Sequence, residues 1–121
     1  MPTATGHTDA IRASRVIGTA VYNTGAEQIG TIDDVMLEKT SNGIMFAVIG
    51  FGGFLGIGEK YHAIPWAALD YDEQNGGYIV PFTREQLEAA PSYSVNELTA
   101  NDGETARNAS FDYYKVDPYW H

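Results

Sequence analysis

The sequence has no cysteine. Disulfides, zinc–thiolate sites, iron–sulfur ligation and a thiolate nucleophile are thereby excluded, while the redox compartment stays open. Cations are scarce as well: seven Lys and Arg stand against sixteen Asp and Glu, a formal net charge of −9. That field repels a nucleic-acid backbone, so direct DNA binding is not expected and RNA binding is disfavoured. No apolar run approaches the roughly eighteen residues of a membrane span, so membrane insertion is not expected. The opening MPTATGHTDAIRASR holds no signal-peptide core. A cytoplasmic protein follows as the expectation. Histidines are few and scattered (His7, His62 and His121), with no second histidine three or four residues away from any of them. A transition metal would find no ligand set.

What is present suits one globular domain. The chain has 121 residues, of which 44% are hydrophobic and 19% charged, too apolar for a disordered chain. A protein of this size buries about two-thirds of its surface on folding, enough for one core without a staple. Charge is uneven along the chain. Residues 1–16 sum to +1 through Arg12 and Arg15, whereas residues 17–91 sum to −7 and residues 92–121 to −3.

The pattern divides the chain into a flexible lead (1–14), a β-rich body with one short helix (15–91) and an aromatic-rich tail (92–121). Val16 to Tyr22 reads as a strand closed by Asn23-Thr24-Gly25. Gln28 to Glu38 is a second strand whose alternation slips, because Ile29, Ile32 and Val35 cannot share a face in a regular strand. A bulge near Gly30 or at Asp33-Asp34 would repair it. Asn42-Gly43 is a strong hairpin signal. Ile44 to Ile49 is apolar on both faces and must be buried on both or lie under something else. Tyr61 to Pro65 is a strand, and Pro65-Trp66 turns a corner where the indole is expected to close one end. Leu69 to Asp72 and Tyr78 to Phe82 form another hairpin around Asn75-Gly76-Gly77. About six short strands with brief connections imply a small barrel or curled sheet. Thr83 and Gln86 make a capping box for a helix that Pro91 ends. Five aromatics in the last eleven residues, Phe111, Tyr113, Tyr114, Tyr119 and Trp120, read as a docked tail, with the outer face of Ile44–Ile49 as its groove, on the same chain or on a partner subunit.

With these strands placed, the body resembles the PRC-barrel family. The residues carrying the resemblance are SRVIGTAVYNTGAEQIGTIDDVMLEKTSNG (14–43), FAVIGFGGFLGIGEKYHAIPWAALDYD (46–72) and GGYIVPFTREQLEAAP (76–91). Most distinctive are Glu27-x-Ile29-Gly30 with Asp34, the FGGFLGIGE loop and IPWAAL. The family includes the cytoplasmic part of the photosynthetic reaction-centre H subunit, the C-terminal part of ribosome-maturation proteins, and free-standing bacterial members with a similar aromatic tail. The resemblance implies a mainly β, PRC-type barrel and a non-catalytic adaptor or assembly module. The alternative it carries is an RNA-processing or ribosome-associated factor, although the RNA-associated domain of those relatives has no counterpart in this sequence.

Motifs for chemistry are weak. Gly53 and Gly58 lead to Glu59-Lys60-Tyr61, which fits neither a P-loop nor a dinucleotide fingerprint. Asp33 and Asp34 are strand neighbours on opposite faces unless a bulge rotates one, so Asp34 is expected to bond nearby backbone donors. Asp70, Asp72 and Glu73 bracket a turn without calcium-loop spacing. His62 reads as a surface or structural histidine. No serine sits in a nucleophile elbow. No catalytic residue, metal or cofactor is therefore assigned, and no enzyme is expected. Phe54, Leu55 and Ile57 either fold back onto the core or present a contact patch. Together with Phe51, Tyr113, Tyr114, Tyr119 and Trp120 they are the candidate partner-binding residues. The expected partner is another protein or a second copy in a homodimer.

Overall fold

A computed structural model describes residues 10–51 and 61–118 of the chain. Six strands form one sheet: β1 (Ala20–Tyr22), β2 (Gln28–Glu38), β3 (Gly43–Gly50), β4 (Tyr61–Pro65), β5 (Asp70–Asp72) and β6 (Gly77–Ile79). Their order across the sheet is β4-β3-β2-β1-β6-β5. All neighbours run antiparallel except β1 and β6. The fold is the expected mainly β, PRC-type architecture. The sheet curls without closing, because its edge strands β4 and β5 do not pair and are joined by a single 3-10 turn at Trp66–Ala68.

The slip in the β2 pattern has the anticipated cause. Against β3, Ile32 pairs with Ile49 and Asp34 with Val48, which leaves Asp33 as the extra residue. Against β1, Gly30 pairs with Val21 and Gln28 with Tyr22, so Ile29 is extra there. Each inserted residue restores the face. Ile29, Ile32 and Val35 all reach one core cluster. A Cβ on Gly30 would run into the Gly50 carbonyl, so glycine lets β2 and β3 approach at that point.

Both faces of β3 are covered. Ala47 and Ile49 join the interior with Val21, Ile32, Ile64 and Leu87. Phe46 and Val48 belong to a second cluster with Met45, Ala63, Tyr93, Leu98 and Ala106. The C-terminal segment therefore docks on the outer face of the doubly apolar strand, as expected. Its anchors differ from those expected: Tyr93, Leu98 and Ala106 make this contact, whereas Tyr114 packs on Phe82, with centroids 4.4 Å apart, in the interior cluster.

The expectation of one short helix needs correction, since four stand among the described residues: α1 (Ala13–Val16), α2 (Arg84–Ala89), α3 (Val95–Thr99) and α4 (Glu104–Tyr114). The reason in α1 is Gly18, whose φ of +90° ends the turn and delays β1 to Ala20. Helix α2 carries the predicted capping box, with Thr83 Oγ1 accepting from the Gln86 amide at 3.1 Å and Gln86 Oε1 accepting from the Thr83 amide at 2.8 Å. Ser94 and Glu97 repeat that box at α3. A left-handed turn through Asn101, Asp102 and Gly103 then launches α4. Arg107 is buried on α4 and reaches Glu38 of β2 at 3.4 Å, fastening the helix to the β2–β3 hairpin.

Candidate functional site

Where α3 and α4 cover the outer face of β3, the other face of the β2–β3 hairpin behaves differently towards its turn. Beyond Ile32, β2 leaves β1 and pairs with β3 alone. The space β1 would have filled is bordered by α1. Between them lies an open groove of about 390 Å³. One wall carries Ile11, Val16 and Ile17, the opposite wall Asp34, Val35 and Leu37, and Ile44 and Trp66 complete it.

The lining is unusual for a solvated surface. Leu37 is 62% exposed, Ile11 45% and Ile17 42%. With Tyr71, they are the exposed large hydrophobics among the described residues. Val16, Val35 and Trp66 also belong to or pack on the interior cluster, so the groove is continuous with the core. Trp66 is half-buried, its ring 5.6 Å from that of Tyr78. It forms part of the groove wall rather than a sealed plug. Leu37 shares the face of Val35 by strand alternation and stays exposed because β1 does not extend alongside it. Arg12 and Arg15 are exposed and lie outside the groove's lining. No sequence signal marked Leu37, Ile17 or Ile11.

The expected contact residues are placed as follows. Phe51 is buried against His62, with ring centroids 4.6 Å apart at 74°, so its side chain belongs to the core. Tyr114 is likewise buried. Both side chains pack inward, Phe51 against the core and Tyr114 in the docked segment. Tyr113 is half-buried and donates from its hydroxyl to the Gln86 carbonyl. Phe54, Leu55, Ile57, Tyr119 and Trp120 lie outside the described residues.

The polar candidates have structural occupations. Asp34 Oδ1 accepts from the Val35 amide at 2.8 Å, holding the bulge. Asp33 accepts from Thr31 Oγ1 at 3.1 Å. Asp72 accepts from the Gln74 amide at 3.1 Å and so shapes the β5–β6 turn. Among the described residues no group of three or more His, Asp or Glu could hold a metal ion. His62 is fully buried, and its Nε2 lies 3.0 Å from the Leu87 carbonyl, the tautomer with a proton on Nε2 making this a donor bond. Nδ1 then has no partner. Burial lowers the imidazole pKa to about 4, against the smaller opposing pull of the Leu87 carbonyl. Burial also raises the Tyr93 and Tyr114 phenols. His62 thus stays neutral and joins β4 to α2. No helix among the described residues is long and apolar enough to cross a membrane.

Comparison with known proteins agrees with this architecture. A family model described as PRC-barrel domain matches residues 8–87, more than half of the chain. No curated protein matches. Among solved structures, the chain is similar to a putative 16S ribosomal RNA processing protein RimM from Pseudomonas aeruginosa, at 17% identity and a TM-score of 0.45. The similarity covers 64% of this chain and 47% of that one, so this chain spans less than half of that protein.

Proposed function

Because the chain belongs to the PRC-barrel domain family, we propose that it is a non-catalytic interaction module holding a protein surface in the groove between α1 and β2. The observation that carries this reading is the trio Leu37, Ile11 and Ile17, exposed around an open cleft that leads into the core. Apolar side chains left in water at a concave site mark a binding surface. The titratable groups support the same reading, since Asp33, Asp34, Asp72 and His62 are each engaged in holding the fold. The loop residues Phe54, Leu55 and Ile57 and the terminal Tyr119 and Trp120 are proposed to extend the contact. An RNA-associated role has less support: phosphate recognition needs clustered cations, and the chain carries −9 overall.

A photo-reactive benzoylphenylalanine at position 37, irradiated in the native cell, tests the proposal. A covalent adduct to protein, whether this chain or another, is expected. Adducts to RNA alone, or none, would overturn it.

A further inference from the structure

Beyond Ile32, β2 has a strand neighbour on one side only among the described residues. Ile32 itself still faces the β1 side. Its N–H donates to the Thr19 carbonyl at 2.9 Å, and its C=O accepts from the Gly18 amide at 2.7 Å. The inserted Asp33 shifts the phase by one, so Val35 and then Leu37 direct their backbone groups to the side that β1 no longer covers. The Val35 amide is met by Asp34 Oδ1 at 2.8 Å, a side chain in the place of a strand. The result is a short open sheet edge, of the kind that accepts another chain.

The two faces at this edge differ in chemistry. By alternation Val35 and Leu37 share the inner face, beside the apolar groove of about 390 Å³. Asp34, Met36 and Glu38 share the outer face, where two hollows of about 300 and 580 Å³ adjoin at Met36 and Thr99. The outer lining carries Asp33, Asp34, Glu38, Asp102 and Glu104 against Lys39. Arg107 answers Glu38 at 3.4 Å and Glu104 at 3.9 Å, which leaves the outer side anionic. Val35 and Leu37 line hollows on both faces, as residues of an uncovered edge do.

We infer that the occupant is an extended segment of another protein that adds to β2 as a strand, its apolar residues alternating with lysine or arginine. This rests on the groove being an interaction site at all. Backbone pairing with Val35 and Leu37 supplies the attachment, and side chains on alternate positions supply the choice of partner. On the inner face, the added residues cover Val35 and Leu37 and fill the apolar groove. On the outer face, they stand beside Asp34 and within reach of Asp33, Asp102 and Glu104, where a cation is favoured. A second copy pairing β2 edge to edge would set these carboxylates against one another, and like charges across a strand pair repel. The edge is therefore complementary to a basic strand and not to itself.

The test is a titration of the ¹⁵N-labelled full chain with a capped peptide of about eight residues that alternates valine and lysine, long enough to span 33–38. Amide shifts are expected along α1 and β2, with slower hydrogen exchange at Leu37. Methylating the peptide amides that face β2 keeps every side chain and removes the backbone bonds, so affinity should fall about tenfold or more. Glutamate in place of lysine should cost as much by setting like charges together. Asp102→Asn with Glu104→Gln, both at exposed positions, should weaken binding about threefold with an unchanged melting temperature. No shift at β2 with about 1 mM peptide overturns the inference, since pairing weaker than this is not recognition. Equal binding by the methylated peptide does so too. A Leu37 amide already protected in the chain alone also overturns it, because the edge is then taken by residues 1–9 or by a second copy. Adducts from position 37 to a protein, alongside a failed titration, would sink strand addition and leave the interaction module standing.

Discussion

The outer face of β3 and the groove beside β2 are both apolar surfaces of one hairpin, yet the chain treats them in opposite ways. On the outer face, Phe46 and Val48 are covered by Tyr93, Leu98 and Ala106, and little apolar surface remains. At the groove, Leu37 and Ile17 stay in water although Val35, two residues before Leu37, packs on the core. The difference is one of supply. The C-terminal segment brings two capped helices and a buried Arg107–Glu38 tie to its face. Beside β2, α1 offers a single helical turn, too short to shut the gap. One surface is an internal contact, and the other is suited to an external one.

The sharpest way to break this comparison is to end the chain at Pro91. The truncation removes Tyr93, Leu98, Ala106, Phe111 and Tyr114, all buried. Large side chains of this kind contribute about 1.5–3 kcal/mol each, against a domain stability of about 5–15 kcal/mol. The cooperative melt should vanish, and a hydrophobic dye should bind the bared strand. Melting within a few degrees of the full chain would show that the helices merely rest on β3.

Phe46→Ala probes the same face with one residue. Its ring is fully buried, so the expected loss is about 3–5 kcal/mol by urea denaturation. A loss under about 1 kcal/mol would mean that α3 and α4 close over the cavity at little cost.

The covered face was the more legible of the two. Ile44 to Ile49 announced a strand needing cover on both sides, and the slip at Ile29, Ile32 and Val35 announced the bulges. The helices providing the cover were harder to see. Ser94-Val95-Asn96-Glu97 carries a readable capping signal that the aromatic count overshadowed. The period of α4 is hidden because its buried face includes Arg107 and Ser110 beside Ala106, Phe111 and Tyr114. Polar residues there meet tertiary partners that no local pattern reveals. The groove was illegible for a related reason: it arises because β1 starts only at Ala20 and β2 runs on past Ile32 beside β3 alone, which depends on pairing between distant segments.

Acid should act on the interior before it acts on the groove. His62 has a folded pKa of about 4, below the ordinary 6.5 of the unfolded chain. Between these values the unfolded chain holds the extra proton, so stability rises with pH. The contribution of neutral His62 is complete above about pH 6.5 and is lost as pH falls towards 4, by at most about 3 kcal/mol. Urea midpoints of wild type and His62→Phe should therefore converge or cross on acidification, the variant lacking this slope. Parallel pH profiles would mean that the histidine gains solvent when it is protonated.

Trp66→Ala tests the boundary between the two regions. Half-buried, with one side on Tyr78 and the other on the groove, the indole should contribute about 2 kcal/mol, less than a wholly interior ring. A loss above about 4 kcal/mol would make it a plug of the core, and the groove a crease in its packing.

The smallest effect is expected at Leu37, and its smallness carries the comparison. Leu37→Ala removes three carbons from a side chain that is 62% exposed in a single chain. Surface truncations of this kind stay within about 0.5 kcal/mol. Measured on the chain alone, the variant should unfold at the same urea concentration as the wild type. With the valine–lysine peptide present the two curves should separate, because a partner that binds only the folded form adds stability in proportion to the logarithm of its concentration. A gap that grows with peptide concentration identifies Leu37 as a contact used between molecules. A constant gap of 1 kcal/mol or more would identify it as a core residue, and the groove would then close on itself in solution.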